Sequence, residues 1–260
     1  MKLLSICIAT FNRAGLVEHL VRSVLGMPGS FEICVHVDGS TDDTIQRLSL
    51  IDDPRLRVTS DVNCGRAVSL VAAVNNASGR YCMLFDDDDE LSDEGLARVL
   101  KDCAEPLPEG CVGRIYHLAD ELGARGGSPF PVARSNLIAL RADHAVTGDK
   151  KEVVLTEPLR AAMLTDKAYR RVPTSLYWAR LALTHDVLCV NEVIGTKTYL
   201  AGGMSDSIYR LKRENIHPLI LLQEVRLAAF SSRRYRSWRF ALRSFIALII
   251  YSVRSLKSSR

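Results

Sequence analysis

Four consecutive aspartates, Asp86-Asp87-Asp88-Asp89, follow the apolar run Tyr81–Phe85. Carboxylates this close repel one another, and a divalent cation most readily offsets the repulsion. Side chains two apart in an extended segment point to the same side, so Asp86 and Asp88 are expected to face one ligand together. Mg²⁺ and Mn²⁺ favour such oxygen ligands and complete their shells with water and substrate phosphates. Alone, an acidic tetrad reads as a solvated turn before a helix; its company changes the reading. Leu3–Ala9 runs into Thr10-Phe11-Asn12-Arg13, and Phe31–Val37 runs into Asp38-Gly39-Ser40. Ligands of open parallel sheets sit beyond the carboxyl ends of the strands, so three strand ends would gather polar groups on one edge. The chain has no GxxxxGK[ST] loop, no GxGxxG after the first strand and no GxSxG elbow. Its six histidines lie without metal-ligand spacing.

The elements that position these ends alternate in type. Leu3–Ala9 is a nearly continuous apolar run, as in a strand buried on both faces. Leu16, Val17, Leu20, Val21, Val24 and Leu25 repeat at helical spacing, and Gly26 with Pro28 end that helix. Phe31, Ile33, Val35 and Val37 alternate as a second strand; Leu56 with Val58 and Tyr81–Phe85 mark two more. Helices are expected around Ile45–Leu48, around Ala67–Val74, and after Ser92, an N-cap followed by Asp93 and Glu94. Such alternation predicts a mostly parallel central sheet with helices on both faces. Beyond residue 105 the pattern predicts strands at Cys111–Leu118, Leu137–Leu140 and Val187–Val190, with helices at Glu157–Leu164 and Ser175–Leu183.

The chain has 260 residues, 47% hydrophobic and 25% charged, which excludes a disordered or collagen-like protein. Its seven cysteines are odd in number and show no CxxC spacing, as in a reducing compartment. No cleavable signal peptide is visible and no apolar stretch reaches the ~20 residues of a membrane span, so a cytoplasmic, soluble or peripheral protein is expected. The net charge of +4 is unevenly spread: residues 231–260 hold eight Lys/Arg and no Asp or Glu, leaving the first 230 at −4.

Five segments together resemble the signatures of family 2 glycosyltransferases of the GT-A fold. They are Ser5–Arg13 (SICIATFNR), Val37–Thr44 (VDGSTDDT), Asn63–Arg66 (NCGR), Ala77–Tyr81 (ASGRY) and Phe85–Asp89 (FDDDD), in matching order over about residues 3–100. One departure is Arg80, where the family more often has an acid. The resemblance implies a nucleotide-sugar donor, a UDP-sugar foremost, and direct inverting transfer with Mg²⁺ or Mn²⁺. It implies that Thr10, Asn12 and Arg13 line the nucleotide pocket, that Asp38 faces the base, that Asp86 lies near ribose and metal, and that Asp88 is the principal metal ligand. Arg66 and Asp87, within the same motifs, count among the substrate-binding residues. The chain would divide into a nucleotide-sugar-binding half (1–105), an acceptor half (106–230) and a tail (231–260).

The second half resembles a subgroup that builds surface polysaccharides, through Gly148–Glu152 (GDKKE), Arg171-Val172-Pro173, Asn191-Glu192 and Tyr199–Ser205 (YLAGGMS). A glycan or lipid-linked acceptor is the implied partner. In that subgroup an acid commonly follows the proline, where this chain has Thr174. Asp149, Glu152 and Glu157 are the substitutes for a general base. A nucleotidyltransferase or a catalytically degenerate subunit are the competing readings; the first usually carries a Gly-rich basic loop, absent from Thr10–Gly15.

The tail interleaves Arg233, Arg234, Arg236, Arg239 and Arg243 with Tyr235, Trp238, Phe240 and Leu242. At 3.6 residues per turn, Trp238, Leu242, Phe245, Leu248 and Ile249 share one face. This predicts a basic amphipathic helix lying on an anionic membrane surface rather than binding nucleic acid. Packing of the same apolar face on the catalytic domain is the alternative.

Overall fold

The computed structural model describes residues 2–166, 169–198 and 216–258. The expected strands form in the first half: β1 (Leu4–Thr10), β2 (Phe31–Asp38), β3 (Leu56–Asp61) and β4 (Tyr81–Phe85), separated by α1 (Ala14–Leu25), α2 (Thr44–Ser49) and α3 (Arg66–Asn75). Then come β5 (Glu90–Leu91), α4 (Asp93–Ala104), β6 (Cys111–Ala119), β7 (Arg134–Ser135), α5 (Leu137–Ala142), β8 (Lys150–Leu155), α6 (Thr156–Ala162), α7 (Thr174–Ala182) and β9 (Asp186–Thr196). Two further helices follow, α8 (Ile216–Ser231) and α9 (Trp238–Ser258). The Tyr199–Ser205 segment lies outside the described residues.

One sheet runs β3-β2-β1-β4-β8-β6-β9-β5, with β7 on β9. The first four strands are parallel, but β8 enters antiparallel to both β4 and β6. The sheet is therefore mixed, and β4–β8 pairing joins the two expected halves into one hydrogen-bonded layer. One core lies under α1, α2 and α4, where Val17, Val21, Phe31 and Leu96 are buried. The other lies under α3, α6 and α7, where Leu70, Val74, Leu159 and Leu176 are buried. Burial on both faces is why β1, β2 and β4 read as near-continuous apolar runs.

In the second half one expectation fails and one strand goes unforeseen, both for local reasons. Leu137–Leu140 is helical, because Asn136 caps it: its Oδ1 accepts from the Ile138 and Ala139 amides at 3.1 and 2.9 Å. A four-residue apolar run has no periodicity with which to distinguish the two states. Conversely β8 begins Lys150-Lys151-Glu152, charges that conceal a central strand.

Glu32 ties the amino ends of three strands together. It is 1% exposed and accepts from Ser5 Oγ at 2.7 Å and from the Ser78 and Gly79 amides at 2.5 and 3.1 Å. The Arg57 Nε stands 3.2 Å away. Burial alone would raise this carboxyl, but the hydrogen bonds from Ser5 and Ser78 and the Arg57 charge outweigh it and hold it lowered.

α9 packs along α8 through Ala241 and Ser244, both buried. Its opposite face leaves Trp238, Leu242, Phe245, Ile246, Ile249, Ile250, Val253 and Leu256 between 44% and 72% exposed. Leu248 turns toward the α8 side and is only partly exposed, so the apolar face is rotated from the expected one. The described residues do not cover it. Arg239, Arg243 and Arg254 are exposed along one border of the stripe. Arg234 instead clamps the domain, donating to the Ala182 and His185 carbonyls at 2.8 and 2.7 Å and pairing with Asp186 at 2.7 Å. Among the described residues no helix is long and apolar enough to cross a membrane.

A carboxyl held below its unfolded value of 4.5 stabilises the fold above that pH, and the contribution is lost as pH falls through the folded value. Glu32→Gln is expected to cost about 1–3 kcal/mol at pH 7 and to lose less further stability than wild type on acidification below pH 4.5. Urea unfolding at pH 7 and pH 4 checks both.

Candidate active site

The four aspartates do not form an extended segment. The Asp89 amide donates to the Asp86 carbonyl at 3.3 Å, closing a tight turn directly after β4. The side chains therefore pair as Asp86 with Asp89 and Asp87 with Asp88, not Asp86 with Asp88. Arg13 Nη1 bridges one pair, 2.7 Å from Asp87 and 3.1 Å from Asp88. Thr10 Oγ1 donates to Asp87 at 2.6 Å. Lys151 and Lys197 bridge the other pair: Lys151 Nζ is 3.0 Å from Asp89 and 3.6 Å from Asp86, and Lys197 Nζ is 3.1 and 3.3 Å away. Arg66 Nη2 pairs with the remaining Asp86 oxygen.

Four carboxylates thus meet four protein cations. Burial would raise Asp86, but Lys151, Arg66 and Lys197 outweigh it and hold the carboxyl far below its ordinary range. Asp87 and Asp89 go the other way: desolvation dominates, and each is raised despite its partners. Burial would lower Lys197, but Asp86 and Asp89 raise it instead. Lys151, although inside the Gly148–Glu152 motif, and Lys197 carried no expected role at the site. The only signal for them was that four adjacent acids need counter-charge, and spacing does not say from where.

The loops beyond β1 and β2 are stitched together around this turn. Asn12 adopts a left-handed φ of 51°; its amide donates to Ser40 Oγ at 2.9 Å and its Oδ1 accepts from the Thr41 amide at 2.8 Å. Asp38 is buried, and its carboxylate accepts from the Cys64 and Gly65 amides at 2.7 and 3.0 Å. Gly65 has φ of +94°, and a Cβ there would stand 2.4 Å from the Arg170 carbonyl oxygen. Glycine is thus required where the segment leading to α7 crosses this loop. Thr10, Asn12, Arg13, Asp38, Arg66 and Asp86–Asp89 all come to one sheet edge, with Asp38 and Asn12 spending polar atoms on the loops themselves.

The three substitutes for a general base are not brought together. Glu157 starts α6 beside the amino end of β4, where Thr156 N donates to the Arg80 carbonyl at 3.0 Å. It is 79% exposed and pairs with Arg160. β4 is five residues long, so Glu157 stands roughly 17 Å from the tetrad along the sheet. That overturns it as a base at this edge. Asp149 lies in an exposed turn before β8. Glu152 is in β8 but faces away from the cluster. Lys151 lies over Phe85 on one face of the sheet while Lys150 lies over Phe130 on the other, and alternation puts Glu152 with Lys150. Glu152 lines a cavity of about 100 Å³ with Ile115, Ser175, Trp178 and Arg226. Burial pushes its carboxyl up to about 7. Thr174 opens α7, with Pro173 as its cap, so Ser175 sets the start of that helix beside Glu152.

Asp88 fits a divalent cation. One oxygen meets Arg13, and among the described residues no hydrogen-bond donor reaches the other. Mg²⁺ and Mn²⁺ are commonly held by one or two carboxylates plus substrate phosphates. Asp86 fits less well, since both its oxygens already meet cations. Among the described residues no group of three or more His, Cys, Asp or Glu side chains is arranged to hold a metal.

Removing one partner of a buried ion pair typically costs ~3–5 kcal/mol. Lys151→Met is expected near the lower end of that range, because Lys197 still reaches both Asp86 and Asp89. Lys151→Arg should recover part of the loss. Urea unfolding of the two variants at pH 7 measures it.

Among curated proteins, chondroitin synthase of Pasteurella multocida is 34% identical over 113 residues, which is 42% of this chain and 12% of that protein. The GalNAc(5)-diNAcBac-PP-undecaprenol beta-1,3-glucosyltransferase of Campylobacter jejuni is 32% identical over 111 residues, covering 40% of this chain and 36% of the relative. The chain thus spans well under two thirds of either relative. In fold it is similar to S. aureus TarS 1-349 in complex with UDP-GlcNAc, with TM-score 0.60 and 18% identity over 96% of this chain and 79% of that one. It is also similar to the mannosyltransferase PcManGT from Pyrobaculum calidifontis in complex with GDP-Man and Mn²⁺, with TM-score 0.58 and 17% identity over 98% and 74% of the two chains. The model of the family described as "Glycosyl transferase family 2" matches residues 5–156, which include every residue of the cluster except Lys197, and the chain belongs to that family.

Proposed function

We propose that the chain is an inverting glycosyltransferase that moves a sugar from a nucleotide-diphosphate sugar, a UDP-sugar foremost, to a lipid-linked glycan in surface polysaccharide synthesis. The observation that carries this reading is the edge where Thr10, Arg13 and Asp86–Asp89, beyond β1 and β4, converge with Arg66 at the head of α3. The UDP-GlcNAc and GDP-Man named for the two structural neighbours support the donor class. The undecaprenol in the name of the Campylobacter relative supports a lipid-linked acceptor.

Arg13 and Arg66 supply positive charge for the donor's phosphates, and Thr10 with the Asn12 turn holds Arg13 at the mouth. Asp88 is the residue to hold Mg²⁺ or Mn²⁺, which when bound would neutralise charge on the leaving diphosphate. Glu152 is not the base of a reaction at this edge: although shielded and with a carboxyl pushed up to about 7, it opens to the cavity beside α7 on the other face of the sheet. A non-catalytic subunit is the competing reading, favoured by Thr174 at the head of α7.

The exposed apolar face of α9, bordered by arginines in a segment without a single Asp or Glu, supports a peripheral seat on the anionic cytoplasmic face of a membrane. Such a seat would bring the site to a lipid-linked acceptor.

Transfer is tested by incubating the protein with UDP- and GDP-sugars, Mn²⁺ and a lipid-linked glycan, and measuring free nucleoside diphosphate. Release of nucleoside diphosphate is expected; pyrophosphate would indicate a nucleotidyltransferase, and no product a non-catalytic subunit. Asp88→Asn should abolish turnover, whereas Glu152→Gln, on the far face of the sheet, should leave donor binding intact. Replacing Phe245, Ile249 and Val253 together by Ser should abolish co-sedimentation with phosphatidylglycerol vesicles at low salt. Equal binding of variant and wild type would remove α9 as the anchor.

A further inference from the structure

The donor-pocket reading leaves one contact without a role: Arg13 spends its guanidinium on two carboxylates at the very place where a cation and a diphosphate are to bind. We propose that Arg13 is an internal counter-ion that holds Asp88 in the free protein and passes to the donor's diphosphate on binding. Asp88 then becomes available to a divalent cation only together with the donor. The inference rests on the donor-pocket reading and adds an order of binding to it.

Three observations carry it. First, the cluster is already balanced, with Arg13, Arg66, Lys151 and Lys197 facing Asp86, Asp87, Asp88 and Asp89. A divalent cation entering this arrangement alone meets no net negative charge and an adjacent guanidinium, whereas a diphosphate brings the missing charge with it. Second, Arg13 is the counter-ion with the most accessible side chain. It is 33% exposed, against 27% for Arg66, 20% for Lys197 and 8% for Lys151. Its backbone is fixed by the Asn12 turn and the Ala14 amide, which donates to Asp42 at 3.2 Å, so an exchange of partners needs only side-chain rotation. Third, the two carboxylates it leaves are unequal. Asp87 keeps the Thr10 hydroxyl at 2.6 Å, while among the described residues Asp88 keeps no hydrogen-bond donor. The departure of Arg13 therefore frees Asp88 in particular. A planar guanidinium suits both ends of the exchange, since it pairs equally well with carboxylate and phosphate.

Because coupling between two ligands is reciprocal, Mn²⁺ and the nucleotide should each tighten the other. The test titrates Mn²⁺ into the full-length protein, with and without UDP, following free Mn²⁺ by electron paramagnetic resonance and correcting for Mn²⁺–UDP in solution. In wild type UDP should tighten Mn²⁺ binding by about tenfold or more, within the usual range of such couplings. Arg13→Gln should strengthen UDP-free Mn²⁺ binding by a similar factor and shrink the gap, while Arg13→Lys, which keeps the charge, should stay near wild type. UDP-free affinity unchanged or weakened in a cooperatively folded Arg13→Gln would overturn the proposal. So would UDP tightening Mn²⁺ by less than about twofold in wild type, a measurement that needs no variant. Asp88→Asn separates the two layers: if it binds Mn²⁺ with UDP as wild type does, the assignment of Asp88 to the metal has failed rather than the role of Arg13.

Discussion

Four carboxylates in one tight turn are an electrostatic load that the rest of the chain is arranged to carry. Their counter-charges come from four separate places: Arg13 at the end of β1, Arg66 at the head of α3, Lys151 in β8 and Lys197 just past β9. An uncompensated buried charge costs several kcal/mol, so these elements must arrive in register for the turn to be tolerated. The turn is in this sense a lock on the tertiary structure: β8 has to pair with β4, and β9 with β6, before Lys151 and Lys197 can reach it.

The opposite edge of the sheet solves a related problem with a single acid. Glu32 gathers hydroxyl and amide donors from β1 and from the turn before β4, and it fixes the strand starts whose far ends carry the cluster. Charge at this edge holds the scaffold; at the other edge it is partly exposed and available to a ligand. The difference lies in how completely each carboxylate is satisfied. Glu32 is saturated with donors, whereas among the described residues Asp88 meets one partly exposed guanidinium.

Two further surfaces follow from the same layout. The face of β8 that bears Glu152 turns away from the aspartates and toward the start of α7, so the sheet separates that carboxyl from the counter-ion cluster. α8 and α9 pack beside that face, Arg226 and Phe240 lining the same cavity as Glu152. The outer side of α9 presents an apolar stripe that the described residues leave uncovered.

The amino-acid sequence by itself determined the first hundred residues well, because doubly buried strands and the helices between them write strong local patterns, and because five motifs fall at the ends of those strands. Thr10, Arg13 and the four aspartates could be placed at one edge from the order of strands alone, and Arg66 through the family resemblance. What only the tertiary structure decided was partnership. A hydrogen bond from Asp89 to Asp86 turned an expected extended pair into two different pairs, and no local pattern announces a four-residue turn within a run of identical side chains. Lys151 and Lys197 lie 62 and more residues from the acids they neutralise, so periodicity cannot connect them. β8 was illegible for the same reason: of its leading charges Lys151 is buried against the aspartates, while Lys150 is buried against the Gly126 and Thr147 carbonyls on the other face. Glu157 and Glu152 looked equivalent in sequence, yet an antiparallel strand carries one to the far edge and leaves the other at the mid-sheet cavity. Local chemistry chose the residues, and strand pairing chose which of them meet.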